Sequence, residues 1–92
     1  MIVKSISLHC KQENHDKVYH IEIIDVGNGK YMVPSQYCRR GKTLRLFCLT
    51  DEPVSKWEAE RIYNKKVEHE MKKGYVKIPD SEELLTLVAF TY

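Results

Sequence analysis

Residues 17–29 of the chain, KVYHIEIIDVGNG, decide the fold class. Tyr19, Ile21 and Ile23 alternate with polar side chains such as His20 and Glu22, which is the period of a half-buried β-strand. The glycines that follow accept a positive φ without penalty, so they favour a tight turn into a second strand. The stretch therefore predicts a β-hairpin.

Alternation continues on both sides of this hairpin. Residues 2–10 alternate, which predicts a strand with one face formed by Ile2, Ile6, Leu8 and Cys10. Residues 30–39 form the next extended run, and Pro34 within it predicts a sheet edge or a bulge. Residues 43–49 are rich in strand-forming side chains and follow a turn at Gly41. The first half of the chain therefore predicts four antiparallel strands in sequence order.

The hydrophobic period changes to that of a helix over residues 55–73. Ser55 and Glu58 form a capping-box pattern, and Gly74 provides a left-handed stop. We expect an α+β fold, with a twisted antiparallel sheet of four to five strands and one main helix packed on a face. The predicted core consists of Tyr19, Ile21, Ile23, Ile62, Tyr63 and Val67. Residues 75–78 look extended, and residues 80–92 fit either a short helix or a strand.

Composition limits the classes of protein. The chain has 92 residues, 15 Lys and Arg against 13 Asp and Glu, and a net charge of +2, which fits a single domain over residues 1–92. No leader or membrane-spanning pattern is visible, so we expect no membrane partner, and an odd number of cysteines fits a reducing cytoplasm. Three cysteines without CxxC spacing predict neither a disulfide framework nor a metal site. No catalytic motif is present, so we expect a protein that is not an enzyme and needs no cofactor.

Positive charge is concentrated in residues 36–45, QYCRRGKTLR. Arg39, Arg40, Lys42 and Arg45 lie within seven residues around a predicted turn, and Tyr37 immediately precedes them. Arginine forms bidentate contacts with phosphate, and an aromatic ring stacks on a sugar or an unpaired base. A solvated hairpin whose charges keep a sheet edge soluble is the alternative interpretation.

Four motifs in series make the chain similar to a WGR domain, a family named for a Trp-Gly-Arg triplet. Residues 14–23, NHDKVYHIEI, resemble the strand that opens the domain, and residues 37–41, YCRRG, lie where the family has its triplet. Residues 53–60 resemble the helix entry, and residues 72–75, KKGY, resemble a common bacterial ending. The resemblance covers about residues 10–76.

The resemblance implies DNA binding. In DNA-dependent poly(ADP-ribose) polymerases, the triplet Trp packs against a terminal nucleotide and the Arg contacts the backbone. Tyr37 is at the Trp position here and Arg39 at the Arg position, whereas Cys38 replaces the glycine and Arg40 replaces an aliphatic residue.

These observations lead to two functional hypotheses. The first is a non-catalytic nucleic-acid-binding module, for DNA rather than RNA. It uses Tyr37 and the four cations of the turn, which are Arg39, Arg40, Lys42 and Arg45. Lys30 extends this basic patch from the neighbouring turn. The second is a protein-interaction module or homodimer without nucleic-acid binding, suggested by the apolar residues 84–90, LLTLVAF.

Overall fold

One helix packs on a six-stranded antiparallel sheet in the computed structural model, which describes residues 1–12, 15–39 and 42–78. The elements in chain order are β1 (Ile2–Gln12), β2 (His15–Gly27), β3 (Lys30–Met32), β4 (Pro34–Arg39), β5 (Arg45–Cys48), α1 (Lys56–Lys72) and β6 (Val76–Lys77). The strand order is β5-β4-β2-β1-β6, with β3 also paired to β2. The α+β prediction is confirmed, and β2 lies at the centre of the sheet.

The third predicted strand is divided in two, so the expectation of four to five strands is wrong in number. β3 and β4 continue one another in the same register along β2, and Val33 lies between them. The Val33 amide donates to Oγ1 of Thr50 at 3.3 Å, and its carbonyl accepts from the Leu49 amide at 2.9 Å. Val33 is therefore held by the segment after β5, and Pro34 begins β4. The short β6, paired with β1, completes the six strands.

A bulge near the start of β1 places Ile2 on the face opposite to the one predicted. Ile2 pairs with Ile24, whereas Lys4 pairs with Ile23, so one extra residue, Val3, lies between the two pairs. A shift of one residue moves every side chain on one side of it to the other face. Ile2 is 58% exposed as a result, and only the part of β1 after the bulge follows the predicted alternation.

The main core lies between the helix and the face of the sheet that Leu8 and Ile21 share. Of the predicted core residues, Ile21, Ile23 and Tyr63 are buried, and the other three are partly buried against them: Tyr19, Ile62 and Val67. The helix therefore covers β1, β2 and β3 and leaves β5 and the Arg39 end of β4 uncovered by its apolar stripe.

Both ends of the helix follow the predicted signals. Oγ of Ser55 accepts a hydrogen bond from the Glu58 amide at 3.2 Å, so Ser55 is the N-cap. The Glu58 carboxylate does not complete the predicted capping box, because it pairs with Arg61 one turn along the helix. Gly74 has φ 104°, a left-handed conformation that reverses the chain towards β6. These local interactions fix where the helix begins and where the chain returns to the sheet.

A smaller apolar cluster lies on the other face of the sheet. Val18, Cys38 and Ile78 are buried there, with Leu44 partly buried against them. The alternatives for residues 80–92 lie outside the described residues. Within the residues that the structure does describe, no helix is long and apolar enough to cross a membrane.

Candidate nucleic-acid interface

Strand pairing brings the predicted site residues of β4 and β5 onto one face. Tyr37 lies directly opposite Arg45 on β5 and opposite Tyr19 on β2, while Arg39 lies opposite Lys17. Residues two apart on a strand share a face, so Tyr37 and Arg39 both project on the helix side of the sheet. Strand pairing therefore brings Lys17, Arg39 and Arg45 to the same face of the sheet, next to the ring of Tyr37.

Tyr37, Arg39, Lys42 and Arg45 line a cleft of about 460 Å³, together with Thr43. The three cations are exposed, and Tyr37 is half-buried. Among the residues that the structure describes, none of the salt bridges uses Arg39, Lys42 or Arg45. Their charges therefore remain available to an anionic ligand.

The ring of Tyr37 is held by other aromatic side chains. Its centroid lies 4.9 Å from that of Tyr19, with 46° between the planes. Tyr19 in turn makes edge contacts with Tyr75 at 5.4 Å and with Phe47 at 6.3 Å. Aromatic pairs at these separations attract one another beyond the effect of burial. Tyr37 is therefore positioned at the boundary between the core and the cleft.

Cys38 supports the cleft from the opposite face of β4. Its backbone is that of an ordinary strand with a negative φ, so a side chain at this position causes no backbone strain. The Sγ atom of the buried thiol lies 3.4 Å from the carbonyl oxygen of Arg39 and 3.6 Å from that of Lys42, and these two oxygens share its single proton. The Lys42 amide also donates to the Arg39 carbonyl at 2.9 Å. Burial raises the pKa of the Cys38 thiol, which keeps the proton that these contacts need.

The remaining predicted site residues are not part of this cleft. Arg40 lies outside the described residues. Lys30 pairs with Gly27 at the far end of β2, ten residues from Lys17, the partner of Arg39. At about 3.3 Å per residue, the two ends are on the order of 30 Å apart. Lys30 therefore does not line the Tyr37 cleft, because β2 carries it away from the turn.

A second cavity adjoins the cleft and shares Tyr37 with it. This cavity, of about 380 Å³, lies between the last turn of α1 and β2, and its other lining residues include Lys17, Glu70, Lys73 and Tyr75. Burial raises the pKa of the Tyr75 phenol far above its ordinary value, so the hydroxyl stays protonated at neutral pH. In the sequence, these residues look like ordinary positions on a helix surface or a strand, and no local pattern marks them as cavity-lining.

The position of Lys17 beside Arg39 follows only from the strand register. Lys17 faces Arg39 across two paired strands, and no local pattern in the chain reports that pairing. Glu70 is separated from Arg39 by more than thirty residues, and its position depends on how α1 crosses the sheet. The only signal available was the dense basic ending of the helix at Lys72 and Lys73.

A wider cavity of about 590 Å³ lies along α1 and is lined by several cations and two apolar residues: Leu49, Arg61, Ile62, Lys65, Lys66, Glu68, His69 and Lys72. Three of these cations are engaged by glutamates of the same helix. Arg61 pairs with Glu58, Lys66 with Glu70, and Lys72 with Glu68. This groove therefore offers less unpaired positive charge than its composition suggests.

Polar groups on the other face of the sheet form a separate network. Oγ of Ser7 lies 2.7 Å from Nδ1 of His20, and Nε2 of His20 lies 3.7 Å from Glu22. Ser7 is 1% exposed, so a substrate cannot approach its hydroxyl in this conformation. In the described part of the chain, no three His, Cys, Asp or Glu side chains come together as metal ligands.

The geometry thus assembles one face with an aromatic ring, three exposed cations and an adjoining polar cavity. Comparison of the chain with protein-family models, curated proteins and solved structures finds no significant match.

Proposed function

We propose that this chain is a non-catalytic nucleic-acid-binding module that contacts the DNA backbone through the Tyr37 cleft. The observation that carries the proposal is the convergence of Arg39, Lys42 and Arg45 around Tyr37, with their charges unused by described carboxylates. Adjacent Arg40 adds a fourth cation in the sequence. Such a surface suits phosphates, which dominate the affinity of proteins for nucleic acids.

Each side chain has a distinct part in the proposed contact. The guanidinium groups of Arg39 and Arg45 form bidentate hydrogen bonds with phosphate oxygens, and the Lys42 ammonium neutralises a further phosphate. Tyr37 packs its exposed ring edge or face against a sugar or base at the same place. The WGR resemblance supports DNA over RNA as the ligand.

Fluorescence anisotropy with labelled duplex, nicked and single-stranded DNA tests the proposal. We expect binding at low salt, with a log–log dependence of affinity on salt of roughly −3 to −4 for four cations on duplex DNA. Replacing both Arg39 and Arg40 by Ala should remove most of the affinity. The matched control, Lys30→Ala with Lys56→Ala, removes the same charge from exposed positions outside the cleft and should bind as the parent does.

Two results would contradict the proposal. The first is the absence of binding to all three forms of DNA at low salt by the folded protein. The second is an equal loss of affinity in the arginine double variant and in the control, because equal losses would indicate a response to net charge alone.

The alternative function is a homodimer formed through β5, without nucleic-acid binding. β5 is the edge strand on its side of the described sheet, and its Leu46 and Phe47 are 71% and 37% exposed. An edge strand with exposed apolar side chains can pair with the same strand of a second copy. The apolar residues 84–90, which first suggested a protein interface, lie outside the described residues.

Sedimentation velocity distinguishes this alternative. A homodimer through β5 should dissociate when Leu46→Lys places a charge at the edge, whereas Leu46→Val should leave it intact. A monomer at all concentrations in the parent protein would exclude the homodimer.

A further inference from the structure

The cavity between the last turn of α1 and β2 combines a buried acceptor with aromatic walls and cations. Its volume of about 380 Å³ falls in the range of small-molecule pockets, about 300–1,000 Å³. It meets the basic cleft at Tyr37, which lines both. A strand whose phosphates lie in the cleft therefore has a base-sized recess beside it.

Glu70 determines what kind of group this recess accepts. The residue is 1% exposed, although it lines the cavity. Nζ of Lys66 lies 3.0 Å and Nζ of Lys73 lies 3.8 Å from the same carboxylate oxygen, Oε1. A carboxylate has about four lone-pair sites, so the two ammonium groups leave acceptor capacity on Glu70. A ligand that enters the recess must present hydrogen-bond donors to this carboxylate.

Among the DNA bases, guanine alone presents two adjacent donors, N1–H and the N2 amino group, on its Watson–Crick edge. Adenine, cytosine and thymine each present one donor there, flanked by acceptors that a carboxylate repels. Bases in a duplex hide this edge, so only an unpaired base can present it. Of the four bases, guanine is therefore the one whose Watson–Crick edge best matches the two oxygens of a carboxylate.

The walls of the recess suit a planar base. Tyr19 packs against Tyr37 at 4.9 Å and edge-on against Tyr75 at 5.4 Å, so three phenol rings surround the recess. Lys66 also lies over the Tyr19 ring, 4.7 Å from its centroid. Lys17 borders the same cavity and offers its charge to the phosphate of the bound nucleotide.

From this geometry we infer that the cavity binds an unpaired guanine base, with Glu70 accepting hydrogen bonds from N1–H and the N2 amino group. The inference rests on the proposed function, because the strand must reach the cavity through the Tyr37 cleft. Glu70 is the residue that determines base preference, while the cleft supplies affinity that is independent of sequence.

Anisotropy with three single-stranded thymine oligonucleotides tests the inference: one with thymine throughout, one with a single central guanine, and one with inosine at that position. Inosine differs from guanosine only by lacking the N2 amino group. We expect the guanine strand to bind about tenfold or more tighter than the inosine and thymine strands. Equal binding of the guanine and inosine strands by the parent protein would overturn the inference without any variant.

The variants locate the preference. Glu70→Gln should reduce the guanine preference, measured within each variant as the ratio of the affinities for the guanine and thymine strands, to about twofold or less. The ratio is the readout because the change also frees the ammonium groups of Lys66 and Lys73, which raises the affinity for every strand. The matched control is Glu68→Gln, which makes the same change on an exposed residue of the same helix and should retain the full preference. Thermal melting shows whether each variant is folded. Glu70→Asp keeps the negative charge but draws the carboxylate back from the recess, so it should also lose the guanine preference.

The outcomes separate the two proposals. Failure of these strands and of duplex and nicked DNA to bind at low salt contradicts the proposed function and the inference together, whereas failure of the single strands alone overturns only the inference. Binding of all three with equal affinity, or a guanine preference that survives in Glu70→Gln, leaves the proposed function intact and overturns only the guanine pocket.

Discussion

The ring of Tyr37 packs on the ring of Tyr19, with centroids 4.9 Å apart and planes inclined by 46°. Tyr19 faces the main core, whereas Tyr37 borders the basic cleft, so this pair joins the stable centre of the sheet to the surface proposed to bind DNA. The contact keeps Tyr37 in one position, and a positioned ring loses little conformational freedom on binding a ligand.

Removal of one cleft cation should weaken DNA binding in a salt-dependent way. Arg45→Ala removes one phosphate contact, so the log–log salt slope on duplex DNA should become shallower by about 0.9. Lys30→Ala changes the charge equally, at the far end of β2, and should leave the slope unchanged. Anisotropy titrations at several salt concentrations measure both slopes. Equal slopes in the two variants would show that Arg45 contacts no phosphate.

Tyr37 should contribute to binding through its ring rather than its hydroxyl. Tyr37→Ala should lower affinity for single-stranded DNA about 5- to 100-fold, since stacking of a base on an aromatic ring contributes about 1–3 kcal/mol. Tyr37→Phe keeps the ring and should bind within about twofold of the parent. Because the ring also packs on Tyr19, the Ala variant should lose about 1–2 kcal/mol of stability, measured by urea unfolding. An Ala variant that binds normally would remove Tyr37 from the interface.

The three cysteines should differ in reactivity. Cys48 is exposed, whereas Cys10 and Cys38 are buried. Burial raises the pKa of Cys38, so its reactive thiolate should form only at a pH above the ordinary cysteine range. Brief alkylation of the native protein at neutral pH, followed by peptide mass spectrometry, should label Cys48 first. Labelling in denaturant serves as the control and should be uniform; rapid native labelling of Cys38 would contradict its burial.

The bulge in β1 predicts a contrast between two isoleucines. Ile21 is fully buried, so Ile21→Ala should lower the free energy of unfolding by about 2–5 kcal/mol. Ile2 lies beyond the bulge and is largely exposed, so Ile2→Ala should change it by about 0.5 kcal/mol or less. Urea denaturation measures both differences. A large effect at Ile2 would mean that β1 keeps one register throughout and buries this residue.

Acid should weaken the first turn of the helix. The hydrogen bond from Arg61 lowers the pKa of the Glu58 carboxyl, so the charged form is favoured in the folded state. A lowered pKa adds stability above the carboxyl's unfolded value, and this contribution is lost as the pH falls through the folded value. The stability difference between the parent and Glu58→Gln should therefore be present at neutral pH and vanish in acid. A difference that stays constant as the pH is lowered until the protein unfolds would exclude this carboxyl as its source.

The helix was the element most fully predictable from the sequence. The Ser55 cap, the apolar stripe and Gly74 are local signals, because each acts within a few residues of the backbone group that it satisfies. The number of strands could not be predicted from the sequence in the same way. Val33 interrupts the third strand by bonding to Leu49 and Thr50, and nothing within residues 30–39 reports that these later residues will be its partners.

The candidate site shows the same division. Arg39, Lys42, Arg45 and Tyr37 were found because they are close in sequence around one turn. The sequence also groups Lys30 with them, although it lies at the far end of β2, and it gives no sign that Lys17 and Glu70 line the adjoining cavity. In each case the difference concerns distance through space between segments that only strand pairing and helix docking bring together or separate.

By itself, the sequence determined the α+β composition, the identity of the helix with its ends, the alternation that separates core from surface, and the concentration of charge at one turn. Tertiary structure alone decided the six-strand count, the face on which Ile2 lies, the exclusion of Lys30 and the recess around Glu70. The physical reason is that helix caps, turns and alternation act over a few neighbouring residues, whereas register and docking depend on contacts between residues far apart in the chain.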